Sequence, residues 1–196
     1  MLNDQALDAI FRSARSQNGW QPKPVSEDQI RAIYDLMKMG PTSANCSPAR
    51  ILFLRTPEAK ERLVPALLSS NIEKVRSAPV VAIIGHDLKF YDSLAKLFPH
   101  NLSARNWFAG DANKAVADAT AFRNSTLQGA YLMIAARALG LDCGPLSGFD
   151  PAKVDAEFFA GADIRTNFVT GIGYGDPSKV MARSPRLEFD EACKFL

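Results

Sequence analysis

The 196 residues are 47% hydrophobic and 22% charged, enough for one sizeable core and too few for two, so residues 1–196 read as a single domain. A net charge of +2, from 23 basic and 21 acidic residues spread along the chain, supplies no basic stripe for nucleic acid or an anionic membrane, though small anionic ligands stay possible. Cys46, Cys143 and Cys193 are too scattered for a disulfide framework or a CxxC metal site; with no leader-like start and no membrane-length apolar run, they point to a reducing cytoplasm.

From Asp4, the apolar residues Leu7, Ile10, Phe11 and Ala14 recur at helical spacing, with Gly19 offering a left-handed stop. The exit of this helix places Arg15, Ser16, Asn18 and Trp20 together, either an anion-contacting corner or a polar helix end. Ser26 and Gln29 form a capping box flanked by Val25 and Ile30, so a second helix starts there and runs to Gly40-Pro41. Between that helix and an apolar run, Ile51–Leu54, lies a breaker-rich stretch from Gly40 to Arg50. Its prolines restrict the backbone, and Thr42, Ser43, Asn45 and Ser47 carry groups that can hold a ligand, so it reads as a binding loop or as an ordinary surface loop of the usual Ser, Asn and Pro composition. Ile51–Leu54 reads as a strand buried on both faces.

Thr56-Pro57 caps a third helix that Pro65 interrupts. Asn71 and Lys74, three apart on a helical turn, share a face before the buried strand Val80–Ile84; they suit the edge of a polar ring or form a solvated pair. Residues 85–110 read as a short helix inside an aromatic-rich insertion, covering either a site or a core edge. A long alanine-rich helix from about Ala112 to Leu139 should be buried on more than one side, with Gly140 stopping it. Cys143 to Pro151 reads as a second loop whose glycines admit a flat ligand, followed by an Asp150-Pro151 helix start. Phe168–Gly173 is the third strand. Gly171-x-Gly173-x-Gly175 lacks the helix a dinucleotide fingerprint requires, and a Rossmann site is rejected. The tail carries Arg183 and Arg186, within reach of a common anion, and a possible short strand at 187–189.

In this order the stretches resemble the nitroreductase family of flavin enzymes over nearly the whole chain. The likeness rests on an Arg-Ser corner, a Pro-Thr-Ser-x-Asn loop, an Asn-x-x-Lys turn before Ala-Pro-Val-Val, a long central helix, a Gly-Pro-x-x-Gly-Phe-Asp loop and a basic tail. Gly40–Arg50, Phe98-Pro99-His100, Thr120–Ser125 and Gly173–Asp176 resemble that family's malonic semialdehyde reductase branch.

The resemblance implies an α+β subunit with a mixed central sheet, helices on both faces, and a C-terminal segment exchanged with the partner of a homodimer. FMN would lie between the subunits. Arg15, Ser16, Arg183 and Arg186 would meet its phosphate end, because Asn18 stands where many members carry a second basic residue. Pro41, Thr42, Ser43 and Asn45 would come from the other subunit. Asn71 and Lys74 would face the pyrimidine edge, Lys74 tuning the flavin, while Pro145, Leu146, Ser147 and Gly148 would line the ring near N5. NADPH or NADH would reduce the flavin, which would pass hydride to 3-oxopropanoate in pyrimidine (uracil) degradation, with Arg105 or Arg123 meeting the substrate carboxylate. A broad nitro or quinone reductase and a non-catalytic flavin-binding module are the alternatives. A Cys46–His nucleophilic pair has no positional support.

Overall fold

In the computed structural model, which describes residues 1–196, a four-stranded sheet runs in the order β1 (Ala49–Leu54), β2 (Val80–Asp87), β4 (Ile164–Gly173), β3 (Asp142–Leu146). Successive side chains of a strand point to opposite faces, and β2 is apolar on both. Val80, Ala82 and Ile84 enter one core cluster, and Val81 and Ile83 the other. Helices α2 (Glu27–Met37) and α6 (Lys114–Ala138) cover the first face. The second is covered by α3 (Pro57–Leu63), α4 (Ser69–Ser77) and α7 (Pro151–Phe158).

Local sequence signals set most helix ends. Ser26 and Gln29 close the capping box reciprocally at 3.2 and 3.0 Å, and the Thr56 and Asp150 side chains accept from the first-turn amides of α3 and α7. α6 ends where Gly140 takes φ +77°. The Leu141 N–H then donates to Ala136 O and the Gly140 N–H to Arg137 O, at 2.9 and 3.0 Å, satisfying two of the helix's last carbonyls. α3 gives way to a 3₁₀ turn at Val64–Ala66, where Pro65 cannot continue it.

Several expectations are corrected. The first helix, α1 (Asp4–Leu7), opens into a π-turn over Asp8–Arg12 and stops at Ser13; Gly19 is not left-handed and instead lies under the Lys179 stem. β1 is an edge strand with only Leu54 buried, because it pairs with β2 alone. The expected second loop begins as a strand: Pro145 is tolerated because β3 is the opposite edge and pairs only with β4. Every ladder is antiparallel, in place of the implied mixed sheet, and the one parallel pairing is the isolated bridge of Ser16 to Cys143. Residues 187–189 form no strand; Phe189–Ala192 is a short helix, α8. The insertion between β2 and α6 carries α5 (Leu94–Leu97) and 3₁₀ turns, and packs Phe90, Leu94, Ala104 and Phe108 with Cys46, Ala117 and Ala121 as a third cluster.

Candidate functional site

The π-turn leads directly into a cleft of about 380 Å³ lined by Arg15, Ser16, Asn18, Arg137, Arg183 and Arg186, among others. Arg15 Nη2 donates to Met181 O at 2.6 Å, Arg183 Nη2 to Arg12 O and Ala14 O at 2.7 and 3.1 Å, and Arg137 Nη1 to Ile10 O at 3.2 Å. Arg186 Nη1 donates to the nearby Ser184 and Pro185 carbonyls. Carbonyl partners fix these guanidinium groups without cancelling their charge. No Asp or Glu lines the cleft, whereas the surface residues Arg12, Arg50, Arg62 and Arg76 are each paired with a carboxylate. Four cations without a counterion make an anion site suited to phosphate or carboxylate.

The cleft abuts β3, since the Gln17 N–H donates to Cys143 O at 3.0 Å. Three residues further along, roughly 10 Å at strand rise, Leu146 with Pro145, Ser147, Met133 and Phe168 lines a second cavity of about 280 Å³. The start of α4 is tied to this turn: Asn71 Nδ2 and the Leu68 N–H both donate to Gly148 O at 3.0 Å. The backbone N–H groups of Ser147 and Gly148 meet no protein acceptor. Trp20 Nε1 donates to Lys74 O at 3.0 Å, so the indole links the Arg15 corner to α4. That indole lies so close over the sheet that a Cβ at Gly171 would fall 2.5 Å from it, and one at Gly144 3.1 Å. The Gly171-x-Gly173-x-Gly175 run therefore makes room for Trp20, Pro79 and Gln17, which accounts physically for its failure as a nucleotide fingerprint. Lys74 is half-buried on α4 and takes part in no ion pair, while Asn71 is buried.

The Pro41–Asn45 loop is shaped by α6. Pro41 O accepts from Tyr131 Oη at 3.0 Å, the Ser43 N–H donates to Asn124 Oδ1 at 2.9 Å, and the Ala49 N–H donates to Gln128 Oε1 at 2.8 Å. Asn45 Nδ2 donates to Leu97 O at 2.8 Å, and Thr42 Oγ1 accepts from the Ser47 N–H at 3.2 Å. Ala44, Asn45 and Ser47 sit at φ 49°, 49° and 39°, a region that non-glycine residues occupy at a cost on the order of 1–3 kcal/mol each. Such a backbone persists because α6 and the insertion fix it at several points. Within one chain, this loop lines neither the arginine cleft nor the Ser147 cavity.

Arg105 and Arg123 stand apart from both cavities. Arg105 is fastened to Asp92 by Nε and Nη2 at 2.9 and 2.8 Å and lies over Tyr91; Arg123 is exposed on α6 and unpaired. Burial pushes the Cys46 thiol up to about 11, and His86 packs edge-on against Phe122 with its pKa lowered by burial. His100 packs against Phe98, so neither histidine partners the thiol. Three site residues escaped sequence reasoning. Arg137 carried no signal beyond that of a cation in a helix's last turn, but Asn124 and Gln128 offered one, two amides four apart on an alanine-rich helix, and both are buried.

A family model described as the nitroreductase family matches residues 12–174. A relative from Cupriavidus pinatubonensis, provisionally named an NADH dehydrogenase/NAD(P)H nitroreductase, is 59% identical over 195 residues, covering 100% of both chains. A nitroreductase structure from Bacillus subtilis superposes with a TM-score of 0.89 at 18% identity, covering 99% of this chain and 100% of that one. Another from Exiguobacterium sibiricum, solved in complex with FMN, gives 0.84 at 18% identity over 100% and 99% of the two chains.

Proposed function

Because the chain belongs to the nitroreductase family, we propose that it is an FMN-dependent NAD(P)H oxidoreductase acting as a homodimer on a small carbonyl acid. The acid-free arginine cleft carries this reading. Its donors fit a phosphate group, and β3 leads from it to a second cavity with the unpaired Ser147 and Gly148 amides, as a phosphate joined to a flat ring requires. Arg15, Ser16, Arg183 and Arg186 would hold the phosphate end of FMN; Asn71, Lys74, Pro145, Leu146, Ser147 and Gly148 would hold its ring. Pro41, Thr42, Ser43 and Asn45 would reach the ring from the other subunit, which agrees with a loop held rigid yet absent from its own chain's cavities.

When bound, FMN supplies hydride acceptance and donation, so the chain needs no nucleophile or acid–base pair of its own. Lys74, free of any carboxylate, favours negative charge at the pyrimidine edge by on the order of a few kcal/mol where water is excluded. Trp20 keeps that lysine in register with the phosphate corner through the Lys74 carbonyl.

For the oxidant, the likeness of Gly40–Arg50, Phe98–His100, Thr120–Ser125 and Gly173–Asp176 to the malonic semialdehyde reductase branch favours 3-oxopropanoate, giving 3-hydroxypropanoate in pyrimidine degradation. The provisional names of the relatives, NAD(P)H nitroreductase among them, favour the nitro half of a second reading, a nitro or quinone reductase. Absorption spectroscopy tests both. The purified protein is expected to be yellow, to bleach anaerobically with NADPH or NADH, and to regain colour on adding 3-oxopropanoate. Recovery with a nitroaromatic alone would select the second reading, bound flavin that no pyridine nucleotide bleaches would indicate a non-catalytic module, and colourless protein indifferent to added FMN would refute the flavin assignment.

A further inference from the structure

Of the cleft's four arginines, Arg137 alone comes from the long helix, far in sequence from both the corner and the tail. A cation in the last turn of a helix ordinarily answers the helix dipole and the free carbonyls. Arg137 does more than that: its Nη1 crosses to Ile10 O at 3.2 Å, at the centre of the π-turn, which aims the guanidinium into the cleft. Of its donors, only Nη1 meets a protein acceptor; Nε is buried with none. A half-buried guanidinium with donors that meet no protein acceptor, lining a cleft with three other arginines and no carboxylate, is matched by an anion that accepts from the donors facing the cleft.

We infer that Arg137 is a phosphate-binding residue of the cofactor site, supplying from the end of α6 the positive charge that Asn18 does not. The inference rests on the flavin reading above. It assigns the cleft's anion selectivity to a residue from a third element, with the corner and tail arginines held by carbonyls around it. The polar but neutral Asn18 is spent on Lys179 O at 3.4 Å.

Comparing FMN with riboflavin isolates the phosphate contribution. Full-length protein stripped of flavin is titrated with each ligand by fluorescence quenching, as wild type, Arg137→Gln, Arg137→Lys and the double variant Asn18→Lys/Arg137→Gln. Arg137→Gln is expected to weaken FMN about ten- to a hundredfold while leaving riboflavin within about twofold. Arg137→Lys should fall between, and Asn18→Lys should restore part of the loss, because a cation from either element can meet the same phosphate. Equal weakening of both ligands would make Arg137 a strut for the Ile10 turn and overturn the inference. So would wild type binding FMN no better than riboflavin, although the flavin reading would survive. Wild type that binds neither ligand would end that reading and this inference together.

Discussion

Arg105 and Arg123 show how far a residue's type falls short of its role. Both read equally well as carboxylate partners in the sequence, yet Asp92 already occupies Arg105, and Arg123 is the one with charge to spare. Arg123 lies outside both cavities of its own chain, so it would meet substrate only across the proposed dimer; on that reading Arg123→Met is expected to raise the KM for 3-oxopropanoate about tenfold, the loss of one charge-assisted hydrogen bond, and to leave the KM for a neutral nitroaromatic unchanged. Arg105→Met should alter neither, and should cost no more than about 1 kcal/mol of stability, since its ion pair is half exposed. Steady-state kinetics with the two oxidants decides: a selective KM effect at Arg105 instead would reverse the assignment. Arg15 and Ser16 stood out in the sequence as a short run and lie together in the arginine cleft, and the Asn71–Lys74 turn stood out likewise and is tied to Gly148 and Trp20. Arg137 and Asn124 were not legible in this way, because their meaning depends on segments more than 80 residues away, Ile10 and Ser43.

At the scale of elements, what was legible was local. Capping residues, the Gly140 stop and the doubly covered β2 follow from interactions within a few residues or from strand periodicity, and the sequence shows them. β3 was read as a loop because its strand is written Asp-Cys-Gly-Pro-Leu, with a glycine whose missing side chain admits the Gln17 backbone and Trp20, and a proline tolerated at an edge. The indole in that space joins β3, β4 and α4, so crowding it should be felt at both ends of the site. Gly171→Ala places a methyl group 2.5 Å from the Trp20 ring and is expected to cost about 1–3 kcal/mol by overpacking. Displacing Trp20 also loosens the bond to Lys74 O, so flavin should leave the variant faster than wild type. A thermal melt monitored by circular dichroism, with flavin release followed in parallel, checks this; a lowered melting temperature with unchanged flavin release would confine Trp20 to the core.

The whole molecule carries more surface than its mass warrants. A compact 21.4 kDa monomer exposes about 9,100 Å² by the usual size scaling, whereas this chain exposes 11489 Å². The excess, roughly 2,400 Å², is of the order an obligate homodimer buries. Its location is informative: Leu187, Phe189 and Phe195 are 70%, 51% and 87% exposed on a tail that follows the cleft arginines, and Phe122 and Leu127 are exposed on α6. Large apolar side chains grouped and exposed in this way are stabilised when something covers them, and β1, a half-buried edge strand with unpaired backbone on one side, offers a place for a partner's tail. Periodicity within one chain would not reveal such an exchange, because in the proposed dimer the pattern would be completed only in the second copy. The proposed homodimer predicts a mass by light scattering of twice 21.4 kDa. A chain ended after Arg186 keeps all four cleft arginines but loses the apolar tail. It is expected to elute as a monomer and to retain under about a tenth of the wild-type flavin, because the Pro41–Asn45 loop of a second subunit no longer closes the site. Retention of both the double mass and the full flavin content by this shortened chain would rule out tail exchange as what holds the subunits together.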